Sequence, residues 1–448
     1  MKASDLADEA TLASRFADEP PAMAASEARF EASRCLFCFD PPCTRACPTA
    51  IDVPTFIRQI LHRDDLGAAR TILGANIFGG SCARACPTEV LCEGACVDRT
   101  LLRAPVQIGR LQRFACDAAS DVGARFFGAG SPTGRRVAVI GSGPAGLSCA
   151  HELKRLGHEP VVFEARGTPG GLDSRGIARY KVSAEFALGE IASILAIGID
   201  LRLDRPIDPA AVPGLLDEYD AVFLGVGLGR TAPLGILGEE LPGVVEALDF
   251  IAQTHDRPLS ECEVGRRVVV LGAGNTAIDA AIAARRLGAE VVTLAYRRGE
   301  ATLPAFTHEY ERARGDGVRF AWHARPTRIV GPEGRVVAVE FVRTETDPSA
   351  DRSSRLRDAP GPPFSIPADL VIKALGQEPL FGLLDAVPGL VESRGRVVVD
   401  PETGATGVDR LFAGGDCTRV GGEVVDAVRD GKAAARAIDR SLTPRPRA

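Results

Sequence analysis

The sequence predicts an α/β protein in which a helical N-terminal segment precedes two parallel-sheet units, the second of them inserted in the first. Three observations support this prediction. Eight of the 12 cysteines lie between Cys35 and Cys96, two short β-branched runs each end in a glycine-rich turn followed by a helical pattern, and Gly is enriched at 48 of 448 residues. At roughly 150 residues per domain, this length corresponds to about three domains.

Composition restricts the classes of function. The 53 Lys and Arg and the 59 Asp and Glu residues give a net charge of −6, whereas nucleic-acid-binding proteins usually carry a basic surface. No run reaches the ~20 apolar residues of a membrane span, and the acidic N-terminus lacks the layout of a signal peptide. We therefore expect a cytoplasmic protein that binds neither nucleic acid nor membrane.

The clustered cysteines indicate a metal site, because a cytosolic chain seldom holds structural disulfides. The first group is Cys35-x2-Cys38-x4-Cys43-x3-Cys47-Pro48. The second group is Cys82-x3-Cys86-Pro87-x4-Cys92-x3-Cys96. A Cys-Pro ending is typical of bacterial ferredoxins, although the second gap of the first group is longer than theirs.

This spacing favours iron–sulfur ligation over two alternatives. Zinc sites typically present two separated C-x2-C pairs, and the second group has none. Unligated cysteines pack as small hydrophobic residues, but eight within one short segment argue against that role. Two [4Fe–4S] clusters need eight ligands, and simple counting would include Cys82 among them.

The first glycine-rich turn follows the β-branched run 136–140 and precedes a helical pattern over 147–156. A second short strand, 160–163, ends at Glu164. This order is the dinucleotide-binding fingerprint: glycines let backbone amides approach a pyrophosphate at a helix N-terminus, and the acid accepts hydrogen bonds from ribose hydroxyls. The residues of the turn are Gly141, Gly143, Pro144, Ala145 and Gly146.

The second turn follows the run 267–271 and carries Gly272 and Gly274, with Ala277 in the tolerated third position. Its second strand, 290–295, leads to Arg297 and Arg298 instead of an acid. Arginines there suit a 2′-phosphate, which favours NADP over NAD. The alternative is that the two arginines are solvated and bind no phosphate.

Other segments indicate which dinucleotide each unit binds. Gly171 and Leu172 lie in a further glycine turn, after the first unit, where a ligand could come close to the backbone. Asp416 ends a short strand near the C-terminus. Such a carboxylate suits a ribityl hydroxyl, and the following helix N-terminus suits the electron-rich end of a flavin. A turn at 374–376 marks the return crossing, so the second unit is inserted in the first.

No catalytic side chain is predicted. Neither a carboxylate pair nor a Ser/His/Asp arrangement stands out, and the six histidines are dispersed. The four cysteines outside the two groups form no C-x-x-C pair, which argues against a dithiol relay.

Taken together, these motifs resemble the flavin-containing electron-input module shared by glutamate synthase small subunits and the N-terminal half of dihydropyrimidine dehydrogenase. The motifs that carry the resemblance are the two cysteine groups, the turn 141–146 with Glu164, the turn 272–277 with Tyr296-Arg-Arg298, and Ala-Gly-Gly-Asp at 413–416. Within this family, the stretches 176–182 and 220–229 are most similar to the bacterial subunit of NAD-dependent dihydropyrimidine dehydrogenase. The resemblance covers nearly the whole chain.

The resemblance implies specific ligands, including one cluster held by three cysteines and a glutamine. The first cluster would take Cys35, Cys38, Cys43 and Cys96, and the second Cys47, Cys86, Cys92 and Gln112. Cys82 would then be a thiol that binds no iron. The count of cysteines therefore gives Cys82 as the eighth ligand, whereas the resemblance gives Gln112. The implied flavin contacts are Gly143, Glu164, Leu172, Lys181, Gly415, Asp416 and Val424. The implied nicotinamide-nucleotide contacts are Gly274, Asn275, Thr276, Arg297, Arg298 and Gly376.

One departure from the family leaves the nucleotide open. Pro304 stands where the mammalian enzyme's pattern has a further arginine. Fewer cations for a 2′-phosphate leave NAD possible, and the bacterial dehydrogenase subunits that the chain resembles are NAD-linked. We therefore expect NAD(P)H.

The function implied is an electron relay without an organic transformation of its own. NAD(P)H would reduce FAD, and electrons would leave through two [4Fe–4S] clusters to an FMN-containing, PreA-like catalytic subunit in a hetero-oligomer that reduces uracil or thymine. The main alternative is the small subunit of NADPH-dependent glutamate synthase. A non-catalytic iron–sulfur scaffold or zinc protein and a bifurcating transhydrogenase subunit are further alternatives.

The predicted architecture is thus an N-terminal α-helical iron–sulfur domain followed by two Rossmann-like dinucleotide-binding domains, the second inserted in the first. The helical domain would span 1–128 and bind both clusters. The FAD-binding domain would comprise 129–231 and 378–448, on either side of an NAD(P)-binding domain at 232–377.

Overall fold

A computed structural model describes residues 1–346, 356–419 and 421–442. The chain divides into two compact units. Unit 1 comprises Met1–Glu19, Arg175–Ser183 and Arg230–Glu378, and unit 2 comprises Pro20–Ser174, Ala184–Gly229 and Pro379–Ala448. Both units contain a parallel sheet with helices, which confirms the predicted α/β class and the insertion of one Rossmann-like unit in the other.

Helices and strands follow one another in the order that the two fingerprints require. The α-helices are α1 (Glu9–Arg15), α2 (Ala25–Ser33), α3 (Pro42–Ala46), α4 (Val53–Leu61), α5 (Asp65–Ala75), α6 (Gly79–Ala85), α7 (Asp98–Leu101), α8 (Ile108–Asp121), α9 (Pro144–Arg155), α10 (Leu172–Arg175), α11 (Ala184–Leu195), α12 (Val212–Glu218), α13 (Ala247–Asp256), α14 (Asn275–Arg286), α15 (Thr307–Gly315), α16 (Phe381–Ala386) and α17 (Val424–Leu442). The strands are β1 (Arg136–Ile140), β2 (Glu159–Phe163), β3 (Asp200–Arg202), β4 (Ala221–Leu224), β5 (Val244–Glu246), β6 (Arg267–Leu271), β7 (Val291–Tyr296), β8 (Arg319–Trp322), β9 (Ala324–Val330), β10 (Ala338–Thr346), β11 (Leu356–Asp358), β12 (Phe364–Pro367), β13 (Leu370–Lys373), β14 (Glu392–Ser393), β15 (Arg396–Val397) and β16 (Leu411–Ala413). None of the helices among the described residues is both long and apolar enough to cross a membrane.

The N-terminal part of unit 2 is helical, as predicted. Helices α2, α4, α5 and α8 enclose a core that includes Phe56, Ile60 and Leu111, each fully buried. Asp52 caps the N-terminus of α4, since its side chain accepts a hydrogen bond from the Thr55 amide at 3.2 Å and so satisfies a free N–H of the first turn. Five of the grouped cysteines pack against this core: Cys35, Cys43, Cys47, Cys92 and Cys96.

The sheet of unit 2 has the strand order β16-β4-β1-β2-β3, and all of its pairs are parallel. Helices α9 and α17 pack closely against each other. A Cβ atom on Gly431 would lie 2.0 Å from the Ala145 carbonyl oxygen, so only glycine allows this approach. The close contact holds the C-terminal helix on the helix that follows the first glycine-rich turn.

The sheet of unit 1 has the order β5-β13-β6-β7-β8, again fully parallel. Strands β9 to β12 form a separate antiparallel sheet. The chain enters and leaves the largest segment of unit 1 as a hydrogen-bonded antiparallel pair. The Ala232 amide donates to the Gly376 carbonyl at 3.0 Å, and the Glu378 amide donates to the Arg230 carbonyl at 2.8 Å.

Residues 1–19 lie in unit 1 and not with the helical segment, whereas the predicted helical domain began at residue 1. The Ala3 amide donates to the Cys262 carbonyl at 2.8 Å, and the Glu9 carboxylate accepts from the Ser260 amide at 2.7 Å. Glu19 also forms a 2.7 Å ion pair with Arg286. These contacts join the N-terminus to residues more than 240 positions away, which local sequence patterns do not encode.

We expect His151, on α9, to make unit 2 sensitive to acid. Burial, the main cause, and the nearby charge of Arg155 lower the pKa of this imidazole to about 4, while Glu152 acts in the opposite direction. Below the unfolded pKa of about 6.5, the unfolded chain binds a proton that the folded chain rejects, so stability falls as the pH decreases towards 4. The loss amounts to about 1.4 kcal/mol per pH unit.

The measurement is thermal unfolding between pH 7.5 and pH 5 for the wild type and for His151→Phe, which keeps a ring against Phe127. At pH 5 the wild type should have lost about 2 kcal/mol more than the variant, relative to pH 7.5. An equal loss of stability between pH 7.5 and pH 5 in the two proteins would contradict the lowered pKa of His151.

Candidate functional site

The three glycines of the turn after β1 have two different roles. A Cβ atom on Gly141 would lie 2.4 Å from the Gly225 carbonyl oxygen, and one on Gly146 would lie 1.9 Å from the Gly141 carbonyl oxygen. Both positions therefore require glycine for close backbone packing. A Cβ atom on Gly143 would meet no heavy atom within 4 Å, so this residue faces open space at the N-terminus of α9. That is the position where a pyrophosphate approaches the backbone in the fingerprint.

Glu164 lies directly after β2 and is buried, with 8 % of its surface exposed. Its carboxylate accepts hydrogen bonds from the Ser142 amide at 3.0 Å, from the Ser142 hydroxyl at 2.6 Å and from the Arg166 amide at 2.9 Å. The carboxylate thus fixes the glycine-rich turn. Ser142 was not singled out from the sequence, because the fingerprint accepts any residue between its first two glycines.

Two further predicted flavin contacts lie beside this turn. A Cβ atom on Gly171 would lie 3.1 Å from the Gly143 Cα atom, and one on Gly415 would lie 3.1 Å from the Ala145 Cβ atom. Both glycines have left-handed φ angles, +58° and +77°. The structure therefore brings together residues from three distant parts of the chain around the open space at Gly143.

Asp416 follows this glycine, and its carboxyl is influenced by two arginines, Arg396 and Arg419, and by the carboxylates of Asp426 and Asp430. Burial raises its pKa, while Arg396 and Arg419 favour the charged form. The buried Nε and Nη1 atoms of Arg396 and the Nε atom of Arg419 have no hydrogen-bond partner among the described residues. Orphaned buried donors are rare, and donors of this charge fit an anionic group such as a pyrophosphate. Neither arginine was recognised from the sequence, because neither lies in a motif.

Other predicted flavin contacts lie at element ends. Leu172 begins α10 and Val424 begins α17, so both are at helix N-termini. Lys181 belongs to unit 1, where its ammonium forms 2.7 Å ion pairs with Asp279 and Glu309. Burial lowers the pKa of Lys181, but the two carboxylates outweigh it and raise the pKa overall. The flavin contact of Lys181 stays a prediction.

The turn after β6 repeats the geometry of the first. A Cβ atom on Gly272 would lie 2.1 Å from the Ala374 carbonyl oxygen, whereas one on Gly274 would meet no heavy atom within 4 Å. Ala277, at the third position, is fully buried. The side-chain oxygen of Asn275 accepts a hydrogen bond from the Phe306 amide at 3.1 Å, and Thr276 is exposed beside it on α14.

Arg297 and Arg298 follow β7, as predicted. Their backbone is fixed, since the Arg297 carbonyl accepts from the Thr344 hydroxyl at 2.5 Å and the Arg298 carbonyl accepts from the His323 amide at 3.1 Å. Within the described part of the chain, neither guanidinium has an ion-pair or hydrogen-bond partner. Gly376, with φ at +86°, lies in the turn after β13. Two free cations at the end of a Rossmann-like strand fit a 2′-phosphate.

Four thiols of the cysteine-rich segment surround one cavity of about 380 Å³, which is partly open to solvent. They are the four predicted ligands of the first cluster, Cys35, Cys38, Cys43 and Cys96. Burial raises the pKa of the Cys43 thiol to about 11. Among the described residues, no three His, Cys, Asp or Glu side chains meet at the spacing of a single metal ion. Thiols spaced around a cavity fit a multinuclear cluster, which also supplies the positive charge needed to deprotonate them.

The second set of predicted ligands also lies in unit 2. The pKa of Cys86 is raised well above its usual range by a hydrogen bond with Cys82 and by burial. Burial likewise raises the pKa of Cys92, with the Cys47 thiol close enough to add to the effect. The Gln112 amide nitrogen donates to the Gly79 carbonyl at 2.7 Å, so the side-chain oxygen is the atom that could bind iron. Gln112 and Cys82 are both buried, so both remain candidates for the eighth ligand.

This fold and these turns define a class, the flavoprotein oxidoreductases that use a pyridine nucleotide. The family model described as pyridine nucleotide-disulphide oxidoreductase matches residues 135–431. A second model, described as dihydropyrimidine dehydrogenase domain II, 4Fe-4S cluster, matches residues 12–124. The chain therefore belongs to the pyridine nucleotide-disulphide oxidoreductase family and is an NAD(P)H-dependent oxidoreductase with a 4Fe-4S domain.

Two relatives from Escherichia coli K12 align over almost the entire chain. The glutamate synthase (NADPH) small chain is 36 % identical over 431 residues, which cover 92 % of this chain and 91 % of that protein. The PreT subunit of NAD-dependent dihydropyrimidine dehydrogenase is 33 % identical over 423 residues, which cover 94 % and 96 %. These identities place the chain among such proteins without singling out the dehydrogenase subunit that it was predicted to resemble most.

Solved structures show the same fold at low identity. Thioredoxin reductase of T. acidophilum superposes with a TM-score of 0.54 at 20 % identity, over 68 % of this chain and 99 % of that one. FprA of Mycobacterium tuberculosis in complex with NADPH gives a TM-score of 0.55 at 20 % identity, over 69 % and 84 %. No two of the 12 cysteines, all of which lie among the described residues, form a disulfide bond.

Proposed function

We propose that this chain is the electron-input subunit of a dihydropyrimidine dehydrogenase. It oxidises NAD(P)H and delivers electrons through FAD and two [4Fe–4S] clusters to a PreA-like, FMN-containing subunit that reduces uracil or thymine. The observation that carries the proposal is the occurrence within unit 2 of both an open glycine cradle at Gly143 and four thiols around one cavity. A flavin site and a cluster site in one compact unit fit an electron relay.

Residues of unit 2 would hold FAD, and residues of unit 1 the nicotinamide nucleotide. Gly143 leaves room for the FAD pyrophosphate, while Arg396 has buried N–H donors for an anion. Gly274 leaves the corresponding room for NAD(P). When bound, FAD accepts a hydride and the clusters carry single electrons. The chain itself positions these groups, and no side chain is assigned a proton-transfer role.

A second candidate function is that of a small subunit of NADPH-dependent glutamate synthase. The guanidinium groups of Arg297 and Arg298, which have no partner among the described residues, favour it, because a 2′-phosphate distinguishes NADPH from NADH. The 36 % identity to a glutamate synthase small chain supports it as well.

We expect uracil and thymine to reoxidise the reduced complex. The chain is purified anaerobically with its endogenous partner, and consumption of NADH and NADPH is measured with each pyrimidine and with 2-oxoglutarate plus glutamine. The isolated chain, as a control, should reduce an artificial dye and leave uracil unchanged. Oxidation by 2-oxoglutarate plus glutamine alone would establish the second candidate instead.

The eighth cluster ligand can be tested by comparing Gln112→Ala with Cys82→Ala. If the Gln112 oxygen binds iron, the Cys82 variant should keep about eight irons per chain and the wild-type electron paramagnetic resonance spectrum. The Gln112 variant should lose iron or show an altered spectrum of one cluster only. The opposite outcome, iron loss in the Cys82 variant alone, would assign the ligand to Cys82.

A further inference from the structure

A second cavity of unit 2 includes none of the residues assigned to a nucleotide or a cluster. It lies between α5, the end of α8, the segment 123–127 and α11, and its empty space amounts to about 940 Å³ when the volume open to solvent is included. We call it the α11 cleft.

The walls of the α11 cleft are mainly apolar and include three aromatic rings, and two charged side chains, Arg125 and Glu190, also line it. Phe126, Phe127 and Phe186 line it together with aliphatic side chains such as Ile194. His151 also lines the cleft, at 5.8 Å from Phe127 and edge to face, and burial keeps its imidazole neutral near pH 7. Such walls favour a flat apolar molecule, because each Å² of apolar surface removed from water contributes about 25 cal/mol.

The cleft carries one cation without a partner. The Arg125 side chain is exposed at the cleft and has no hydrogen bond or ion pair with any residue that the structure describes. The Glu190 carboxylate also lines the cleft but is already bonded, since it accepts from the Gly80 amide at 2.7 Å and from the Ser81 hydroxyl at 2.6 Å. Arg125 is therefore available for an anionic group on a ligand.

We propose that the α11 cleft binds an aromatic carboxylate, with its rings against Phe126, Phe127 and Phe186 and its carboxylate paired with Arg125. This site is separate from the electron relay and does not depend on the proposed function. The proposal needs both halves of the observation, the aromatic walls for affinity and the free guanidinium for charge.

The test is calorimetric titration of the holoprotein with biphenyl-4-carboxylate and with its neutral amide, biphenyl-4-carboxamide. We expect one saturable site per chain for the acid and about tenfold weaker binding of the amide, since a charge-assisted pair is lost. Arg125→Gln should weaken the acid to the level of the amide and leave the amide unchanged. Arg125→Lys should restore part of the preference.

A matched pair of variants locates the binding. Ser193 lines the cleft and is exposed, whereas the adjacent Ala192 is exposed on α11 without lining it. Ser193→Trp should fill the cleft and weaken both compounds at least tenfold, while Ala192→Trp should leave both affinities unchanged. Dye reduction by NAD(P)H should be at the wild-type level in both variants, which separates this result from any failure of the relay. Absence of saturable binding, equal affinity for acid and amide, or binding insensitive to Ser193→Trp would each overturn the proposal.

Discussion

Replacing Gly143 with valine is expected to yield a folded chain that does not bind FAD. The backbone there is extended, with φ −67° and ψ 177°, which a β-branched residue before proline adopts readily. A Cβ atom would meet no heavy atom of the protein within 4 Å. We therefore expect the substitution to act on a group that occupies the open space and not on the fold.

The expected effect is large. Flavin content should fall below about a tenth of the wild-type value, and NAD(P)H-dependent dye reduction should fall more than about 100-fold, because a misplaced pyrophosphate loses its backbone contacts at the helix N-terminus. Flavin is measured by absorbance after denaturation, and folding by circular dichroism. The far-ultraviolet spectrum should match that of the unsubstituted chain without cofactor.

The matched control is Gly128→Val, in the segment before β1. A Cβ atom on Gly128 likewise meets nothing within 4 Å, and no left-handed φ angle is required. This variant should retain flavin and dye reduction. Normal flavin content in Gly143→Val, or equal losses in both variants, would remove the assignment of the first turn to FAD.

Replacing Cys43 with alanine is expected to separate flavin chemistry from electron delivery. Cys43 is one of four thiols around the 380 Å³ cavity, so its loss leaves a cluster there with three protein ligands. Iron and acid-labile sulfide should fall by about half if two clusters are present, and reduction of the partner's substrate should fall more than about 100-fold. Dye reduction should persist, since the flavin turn is unchanged.

Cys262→Ala provides the control for this substitution. Cys262 is buried in unit 1, and its thiol lies 3.4 Å from the Gln253 carbonyl oxygen and 3.6 Å from the Pro258 carbonyl oxygen. The variant should lose about 1 kcal/mol of stability and keep its full iron content. Full iron content and partner activity in Cys43→Ala would contradict the first cluster's ligand set.

Much of the fold was predictable because its signals are local. Strands β1 and β6 begin and end where the β-branched runs do, and each glycine turn follows immediately. Helix α9 begins at Pro144, three residues before the predicted helical pattern, because proline is well tolerated in the first turn of a helix. Residues 1–19 escaped prediction, since their partners lie far away in the sequence.

The candidate sites were predictable where a motif exists and not elsewhere. Spacing alone identified Gly143 and Gly274, the two glycines that face open space. Arg396 belongs to no motif and becomes visible only through its unpaired buried nitrogens. The carboxylates around Lys181 come from α14 and α15, and only the folded chain brings them together.

The two hydrogen-bonded segments 230–232 and 376–378 have a consequence for the evolution of such proteins. Because the two ends of this segment lie side by side, the intervening 150 or so residues resemble a cassette that recombination could exchange without breaking a strand of the other sheet. Tyr180 restricts that exchange, since its hydroxyl bonds Asp279 at 2.7 Å from a segment outside the cassette. Residues 1–19 also bond to the cassette, so a chimaera with a foreign cassette should fold best when the donor supplies its own versions of residues 1–19 and 175–183.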